Sequence, residues 1–130
     1  MPEAVEVAAK IEPSFTLPCL DLGADEILVG HYGGPNGSIV RCVLLPGDKD
    51  PAPFEQQMAW AQSIGGDLPN RIEQALLFAF LKQDFQPRAY WSNELESDGW
   101  AWYQYFGIGY QSYNHTSNKL RARAVRRSVL

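Results

Sequence analysis

Apolar positions change their spacing twice along this chain, from strand-like to helical and back to strand-like. Between Glu26 and Tyr32 the run Ile27-Leu28-Val29 is continuous, and Ser38 to Leu45 supplies Ile39, Val40, Val43 and Leu44. Two apolar, β-branched runs around the cluster Gly33-Gly34-Pro35-Asn36-Gly37 predict an antiparallel hairpin. Pro46-Gly47-Asp48 ends its second strand by turn chemistry. Residues 1 to 14 alternate only weakly as far as Pro13, which fits either a short helix or a leading strand.

From Pro53 to Ile64 the positions of Phe54, Met58 and Ala61, with Trp60 nearby, follow the helical period, and Gly65-Gly66 closes the segment as a C-terminal cap would. Arg71 to Gln83 places Ile72, Ala75, Leu76, Ala79 and Phe80 on one face, and Leu77, Phe78 and Leu81 widen the stripe. This second helix is expected to be buried on most sides. Asn70 fits an N-cap, and Glu73 is spaced to reach back to it as the partner in a capping box.

Short strands follow: Tyr90-Trp91-Ser92, Trp100 to Phe106, Tyr110 to His115 and Leu120 to Leu130, punctuated by Gly99, Gly107, Gly109 and Asn118. An antiparallel meander carrying two helices is expected, which makes the class α+β. In Trp100 to Phe106 a period of two puts Trp102, Gln104 and Phe106 on one face and Ala101, Tyr103 and Tyr105 on the other. Trp91, Trp102 and Phe106 are expected in the core, with the amide of a buried Gln104 met by backbone or by Ser92. The opposite face would then present Tyr103, Tyr105, Tyr110 and Tyr113 with Gln111, Asn114 and His115, a set of stacking rings and hydrogen-bonding tips suited to binding a partner. The same tyrosines could instead pack on one another or under residues 1 to 50, and the pattern alone leaves both arrangements open.

Composition narrows the function. The chain has 130 residues, the size of one domain, and its 45% hydrophobic and 20% charged content is that of a globular protein. A net charge of −4 argues against nucleic acid and anionic membranes as partners. Arg121, Arg123, Arg126 and Arg127 crowd the end of the chain, where pairing with carboxylates is the expected use. The start, Met1-Pro2-Glu3-Ala4-Val5-Glu6, is acidic where an export signal carries positive charge, and no apolar run approaches the ~20 residues of a membrane span. A bacterial cytoplasm is the expected location, with a virus particle as the other setting. Cys19 and Cys42 have no metal-site spacing and read as reduced, buried thiols, although sequence leaves a disulfide between them open.

Five ordered strings carry a resemblance. They are Gly65-Gly66-Asp67-Leu68-Pro69-Asn70-Arg71, Tyr90-Trp91-Ser92-Asn93-Glu94, Ala101-Trp102-Tyr103-Gln104-Tyr105-Phe106, Gly109-Tyr110-Gln111-Ser112-Tyr113 and Leu120 through Arg127. Together they resemble the DUF1566 family, whose domain also forms the C-terminal part of the Legionella collagen-like adhesin and is common in bacterial and prophage proteins. The match covers residues 54 to 128 of a single domain spanning 1 to 130, with residues 1 to 50 outside it. The resemblance implies a C-type-lectin-like fold in which helices and core strands are scaffold, while loops and exposed strand faces of the second half bind. Formylglycine-generating relatives use cysteines in their second half. Here both cysteines lie within the first 42 residues, so that activity does not carry over.

Catalytic patterns are otherwise sparse. His31 and His115 are far apart in sequence, Gly33-Gly34 is not a phosphate loop, and no serine sits in a nucleophile elbow. No enzyme activity, cofactor or metal is expected. The expected partner is a host or viral protein, with a glycan as the alternative and a homo-oligomer as a further use of the tyrosines. Glu94, Glu96 and Asp98 alternate after Trp91 and offer oxygens to a hard cation, but the sugar-binding tripeptides of animal C-type lectins are absent. The expectation is a solvated acidic loop, so a calorimetric titration with calcium should show no submillimolar binding.

Overall fold

The computed structural model describes residues 21–130. The readings for residues 1 to 14 and for Cys19 lie outside the described residues. The predicted hairpin is present: β1 (Ile27–Gly33) and β2 (Ile39–Leu44) pair antiparallel from Ile27 opposite Leu44 to Gly33 opposite Ile39. The chain reverses through a 3-10 turn at Pro35–Gly37, where Asn36 takes a left-handed backbone (φ 57°) that asparagine tolerates better than most residues.

Leu120 to Leu130 does not form the single strand expected. It divides into β7 (Leu120–Ala122) and β8 (Val125–Val129), which belong to different sheets. Strand β8 pairs with β2, from Val40 opposite Val129 to Leu44 opposite Val125, giving a three-stranded sheet in the order β1-β2-β8. Strand β7 joins a five-stranded sheet in the order β3-β7-β4-β5-β6, formed with β3 (Lys49–Ala52), β4 (Ala89–Ser97), β5 (Trp100–Tyr105) and β6 (Gln111–His115). Its meeting with β4, Tyr90 opposite Arg121, is parallel, so the meander is not antiparallel throughout. Strand β3 had no sequence signal, because Pro51 and two charged residues hide a short edge strand.

Strand β4 runs far past Ser92, and Glu94 and Glu96 lie within it rather than in a loop. Its register with β5 shifts between Trp91 and Leu95. There the Asn93 N–H donates to the Pro69 carbonyl (2.9 Å), so the strand turns aside to bond the segment that leads into the second helix.

Helices α1 (Phe54–Ser63) and α2 (Arg71–Leu81) stand where the helical spacing predicted them. The capping box is complete: Asn70 Oδ1 accepts from the Glu73 N–H (2.8 Å) and Glu73 Oε1 accepts from the Asn70 N–H (2.9 Å). The face α2 buries is only in part the predicted one, and the helix is not buried on most sides: Leu77 is inside and Leu76, Phe78 and Leu81 are half-buried, but the centre of the expected stripe is not. Glu73, Gln74 and Leu77 point inward, whereas Ile72 is 54% and Phe80 64% exposed, with Ala75 and Ala79 also outside. The physical reason is the carboxylate of Glu73, which is fully buried and turns the helix toward its partners.

The five-stranded sheet is covered on both sides. Trp91 on one face packs with Phe54 and Ala61 of α1, Leu68, Ala101 and Ala122, and its indole N–H donates to the Ala52 carbonyl (3.0 Å). Tyr90, next along β4, packs on the other face with Phe106, Leu77 of α2, and Val29, Cys42 and Leu44 of the small sheet. Phe85 stacks on Phe106 with ring centres 4.0 Å apart. Trp91 and Phe106 are core residues as expected; Trp102 is only half-buried. The buried Gln104 donates its amide to the Gly109 carbonyl (2.7 Å), while Ser92 bonds the Trp102 carbonyl instead. Among the described residues no helix is long and apolar enough to cross a membrane.

The terminal arginines are spent on carboxylates and carbonyls. Arg121 meets Asp48, Arg126 meets Glu26, and Arg123 donates to the Asp84 and Leu45 carbonyls. Arg127 makes the most extensive set: Nε and Nη2 donate to the two oxygens of Glu73 (2.9 and 2.7 Å), Nη1 to Asp67 (2.6 Å) and Nη2 also to the Leu68 carbonyl. Tyr32 of the hairpin adds its hydroxyl to Glu73 Oε2 (2.7 Å). Burial pushes the Glu73 carboxyl up, but the hydrogen bonds from Arg127, the Asn70 N–H and Tyr32 outweigh it and hold the group below its ordinary 4.5.

Removing one member of such a pair strands the other, so Arg127→Met should lower the unfolding free energy by about 3 kcal/mol in urea denaturation. Because the folded-state pKa of Glu73 is depressed, its contribution is full above its unfolded value of about 4.5 and is lost as pH falls through the folded value. Stability measured below about pH 4.5 should therefore fall more steeply in the native chain than in Glu73→Gln.

Candidate functional site

The register of β5 with β6 decides which side chains can act together. Trp100 lies opposite His115, Ala101 opposite Asn114, Trp102 opposite Tyr113, Tyr103 opposite Ser112 and Gln104 opposite Gln111. Directly opposed residues share a face of the sheet. Gln111, Tyr113 and His115 therefore join Trp100, Trp102 and Gln104, while Asn114 joins Ala101, Tyr103 and Tyr105. The seven residues expected to form one surface are divided between two.

On the Tyr103 face three phenols gather. Tyr110 lies 6.3 Å from Tyr103 and 5.2 Å from Tyr105 between ring centres. Tyr103 is half-buried against the Trp91 cluster, and Tyr105 lies over Gly107, where a Cβ would come within 2.6 Å of its ring. Only Tyr110, 47% exposed, offers much of its ring to solvent. Its phenol is held above the ordinary 10.0, chiefly by hydrogen bonding with Tyr103.

The opposite face carries a row of rings. The His115 and Tyr113 centres lie 5.3 and 6.3 Å from Trp100, and Tyr113 lies 5.2 Å from Trp102, all edge-to-face. Trp100 (41%) and Tyr113 (47%) are exposed. His115 Nδ1 accepts the Ser117 N–H (3.2 Å) and sits 2.7 Å from Ser117 Oγ, which leaves Nε2 to carry the proton of the neutral ring.

Arg71, the first residue of α2, extends the row. Its guanidinium carbon lies 3.6 Å over the Trp102 ring, the reason that indole is not a core residue. Gln111 locks the arginine twice, accepting from Arg71 Nε (2.9 Å) and donating to the Arg71 carbonyl (2.8 Å). The Arg71 N–H donates to Glu94 Oε2 (2.7 Å), a bond that the irregular stretch of β4 makes reachable. Between α2 and the β5–β6 pair opens a hollow of about 560 Å³, lined by Arg71, Ile72, Ala75, Glu94, Gln104 and Gln111. At its edge Gly109 adopts φ +92°, and a Cβ there would meet the Phe78 ring at 2.5 Å, so glycine lets the turn before β6 press onto α2.

Of the expected site, Gln111, Tyr113 and His115 belong to this surface, Tyr103, Tyr105 and Tyr110 form the separate phenol cluster, and Asn114 faces with them. The pattern did not single out Trp100, Trp102, Arg71 or Ile72 as site residues, and it offered Glu94 only as a cation ligand, not as a partner of Arg71. Parity along β5 already put Trp100 with Trp102, and a correct β6 register would have added Tyr113 and His115. Arg71 carried no signal beyond its place at a helix start.

Among the described residues no three His, Cys, Asp or Glu side chains gather as a metal site. Glu94 serves the Arg71 N–H and Glu96 accepts from Ser97 Oγ (2.6 Å). Burial pushes the Cys42 thiol well above its ordinary value, and the nearby Glu73 charge adds to the effect, so it is a poor nucleophile. No family model matches the chain, and no curated protein matches it.

Removing the Tyr103 hydroxyl should release Tyr110. In Tyr103→Phe the ultraviolet titration of phenol ionisation should show one group moving down toward pH 10, with the fold unchanged by circular dichroism.

Proposed function

We propose that this chain is a non-catalytic binding module which recognises a protein partner through the ring row Trp100, Tyr113, Trp102 and Arg71. The observation that carries the reading is the make-up of that row: two exposed aromatic side chains continuous with an arginine already stacked and hydrogen-bonded in place. Protein interfaces concentrate their binding energy in Trp, Tyr and Arg, and rings fixed by edge-to-face neighbours lose little entropy on docking.

The reading extends to family and setting. The chain is taken as a DUF1566-type domain of C-type-lectin-like fold, acting as a phage or prophage accessory protein, for example an inhibitor of a host defence or regulatory protein in the bacterial cytoplasm. What supports this is where the motifs fall. Gly65 to Arg71 forms the link between the helices, Tyr90 to Glu94 the central strand, and Ala101 to Phe106 with Gly109 to Tyr113 the strands that carry the row. The two helices and buried strands are scaffold, and exposed strand faces of the second half are the recognition surface, as the resemblance implies.

Affinity purification from an infected or lysogenic bacterial lysate, read by mass spectrometry, tests the proposal. The native chain should retain a discrete partner. Trp100→Ala with Tyr113→Ala should weaken that partner by at least about tenfold while leaving circular dichroism unchanged. Undiminished capture by the double variant would overturn the reading. A glycan-array signal lost in the same variant would assign the surface to a lectin instead, and partners found only in purified virions would place it in a receptor-binding assembly.

A further inference from the structure

The hollow beside the ring row has a chemistry of its own. Arg121, Arg126 and Arg127 have carboxylate partners within 3.0 Å, but Arg71 has none: its Nε is held by Gln111, and neither terminal nitrogen has a hydrogen-bond partner among the described residues. A guanidinium stacked on an indole and fixed at one nitrogen has already given up the freedom that binding would otherwise remove, and its remaining two nitrogens form a fork suited to a carboxylate.

Two neighbours refine the ligand. Glu94 spends Oε2 on the Arg71 N–H, and its Oε1 has no partner among the described residues, so a donor on the ligand is favoured next to the carboxylate. Ile72, 54% exposed, and Ala75 form the apolar wall of the same hollow. Beneath them lies Gln104, only 1% exposed, whose carbonyl oxygen is likewise unpartnered. A carboxylate, an amide N–H and an apolar group within a few ångströms of one another describe an acidic residue in a peptide, followed by an aliphatic one.

We propose that this hollow is a subsite for an acidic peptide segment, with Arg71 taking an Asp or Glu carboxylate, Glu94 the neighbouring amide N–H and Ile72 with Ala75 the aliphatic side chain that follows. It rests on the binding function proposed above and names the partner's chemistry at one point of that surface. The chain's own net charge of −4 does not attract acidic partners, so the subsite acts by local geometry rather than by long-range steering.

The probe is the peptide acetyl-Asp-Leu-amide beside its neutral counterpart acetyl-Asn-Leu-amide, titrated into the full chain while the Arg71 Nε–H resonance is followed by NMR. The acidic peptide is expected to shift that resonance saturably, in the millimolar range suited to so small a ligand, and the neutral one to bind at least about tenfold more weakly. In Arg71→Gln, followed through the side-chain amide resonances of Gln111, the preference should be lost. Glu94→Gln has a single side-chain oxygen, which the Arg71 N–H takes, so the contact to the ligand's amide N–H is lost for both peptides; with the nearby negative charge removed, the preference for the acidic peptide over the neutral one should widen.

Equal binding of the two peptides, or no shift with either at tens of millimolar, overturns the subsite on the native chain, whatever the variants do. An unchanged or narrower preference in Glu94→Gln counts equally against it. Loss of the captured partner in the Trp100 and Tyr113 double variant, alongside indifference to peptide charge, would leave the recognition surface standing and remove only the acidic subsite. A clear charge preference with no partner captured would remove the broader function and leave the subsite.

Discussion

One buried ion pair organises this molecule. Glu73 is wholly inside the protein, and an uncompensated carboxylate there would cost several kcal/mol of lost hydration. Its two oxygens instead take Nε and Nη2 of Arg127, the Tyr32 hydroxyl and the Asn70 N–H, so the last strand, the hairpin and the first turn of α2 converge on a single side chain. Asp67 joins through Arg127, while the Asp67 N–H and carbonyl bond Val125 of β8. Such a pair adds little to stability over a well-packed apolar replacement, but it admits few alternative arrangements of the elements it joins.

The orientation of α2 follows from it. With Glu73 directed inward, Gln74 and Leu77 follow, and the stripe through Ile72, Ala75, Ala79 and Phe80 is carried to the outside. The same rotation brings Arg71 over the face of Trp102, where Gln111 from the edge strand fastens it. A structural charge pair on one side of the helix thus prepares, on the other, a charge with no carboxylate partner among the described residues.

The five-stranded sheet contributes the second constraint. Because Trp91 and Tyr90 bury opposite faces of β4 beneath α1 and beneath α2 with the small sheet, little of the central strands is free to meet another molecule. Exposed rings remain toward the β5–β6 edge, where Trp100, Tyr113 and His115 support one another edge-to-face and Tyr110 stands on the reverse side. The proposed recognition surface is the part of the sheet that the scaffold does not consume.

Local signals in the sequence were sufficient wherever the physics was local. The hairpin, the extents of both helices, the capping box of Asn70 and Glu73, the α+β class and the burial of Trp91 and Phe106 all depend on neighbours close in the chain or on the plain preference of large apolar groups for the interior. Which face α2 buries was decided by Arg127, 54 residues away from Glu73, whose charge overrode the apolar stripe. The division of the tyrosines between two surfaces was decided by the β5–β6 register, and the position of Glu94 by the shifted stretch of β4. Those are pairings between distant segments, and residue spacing along one strand or helix carries no record of the partner that will lie beside it.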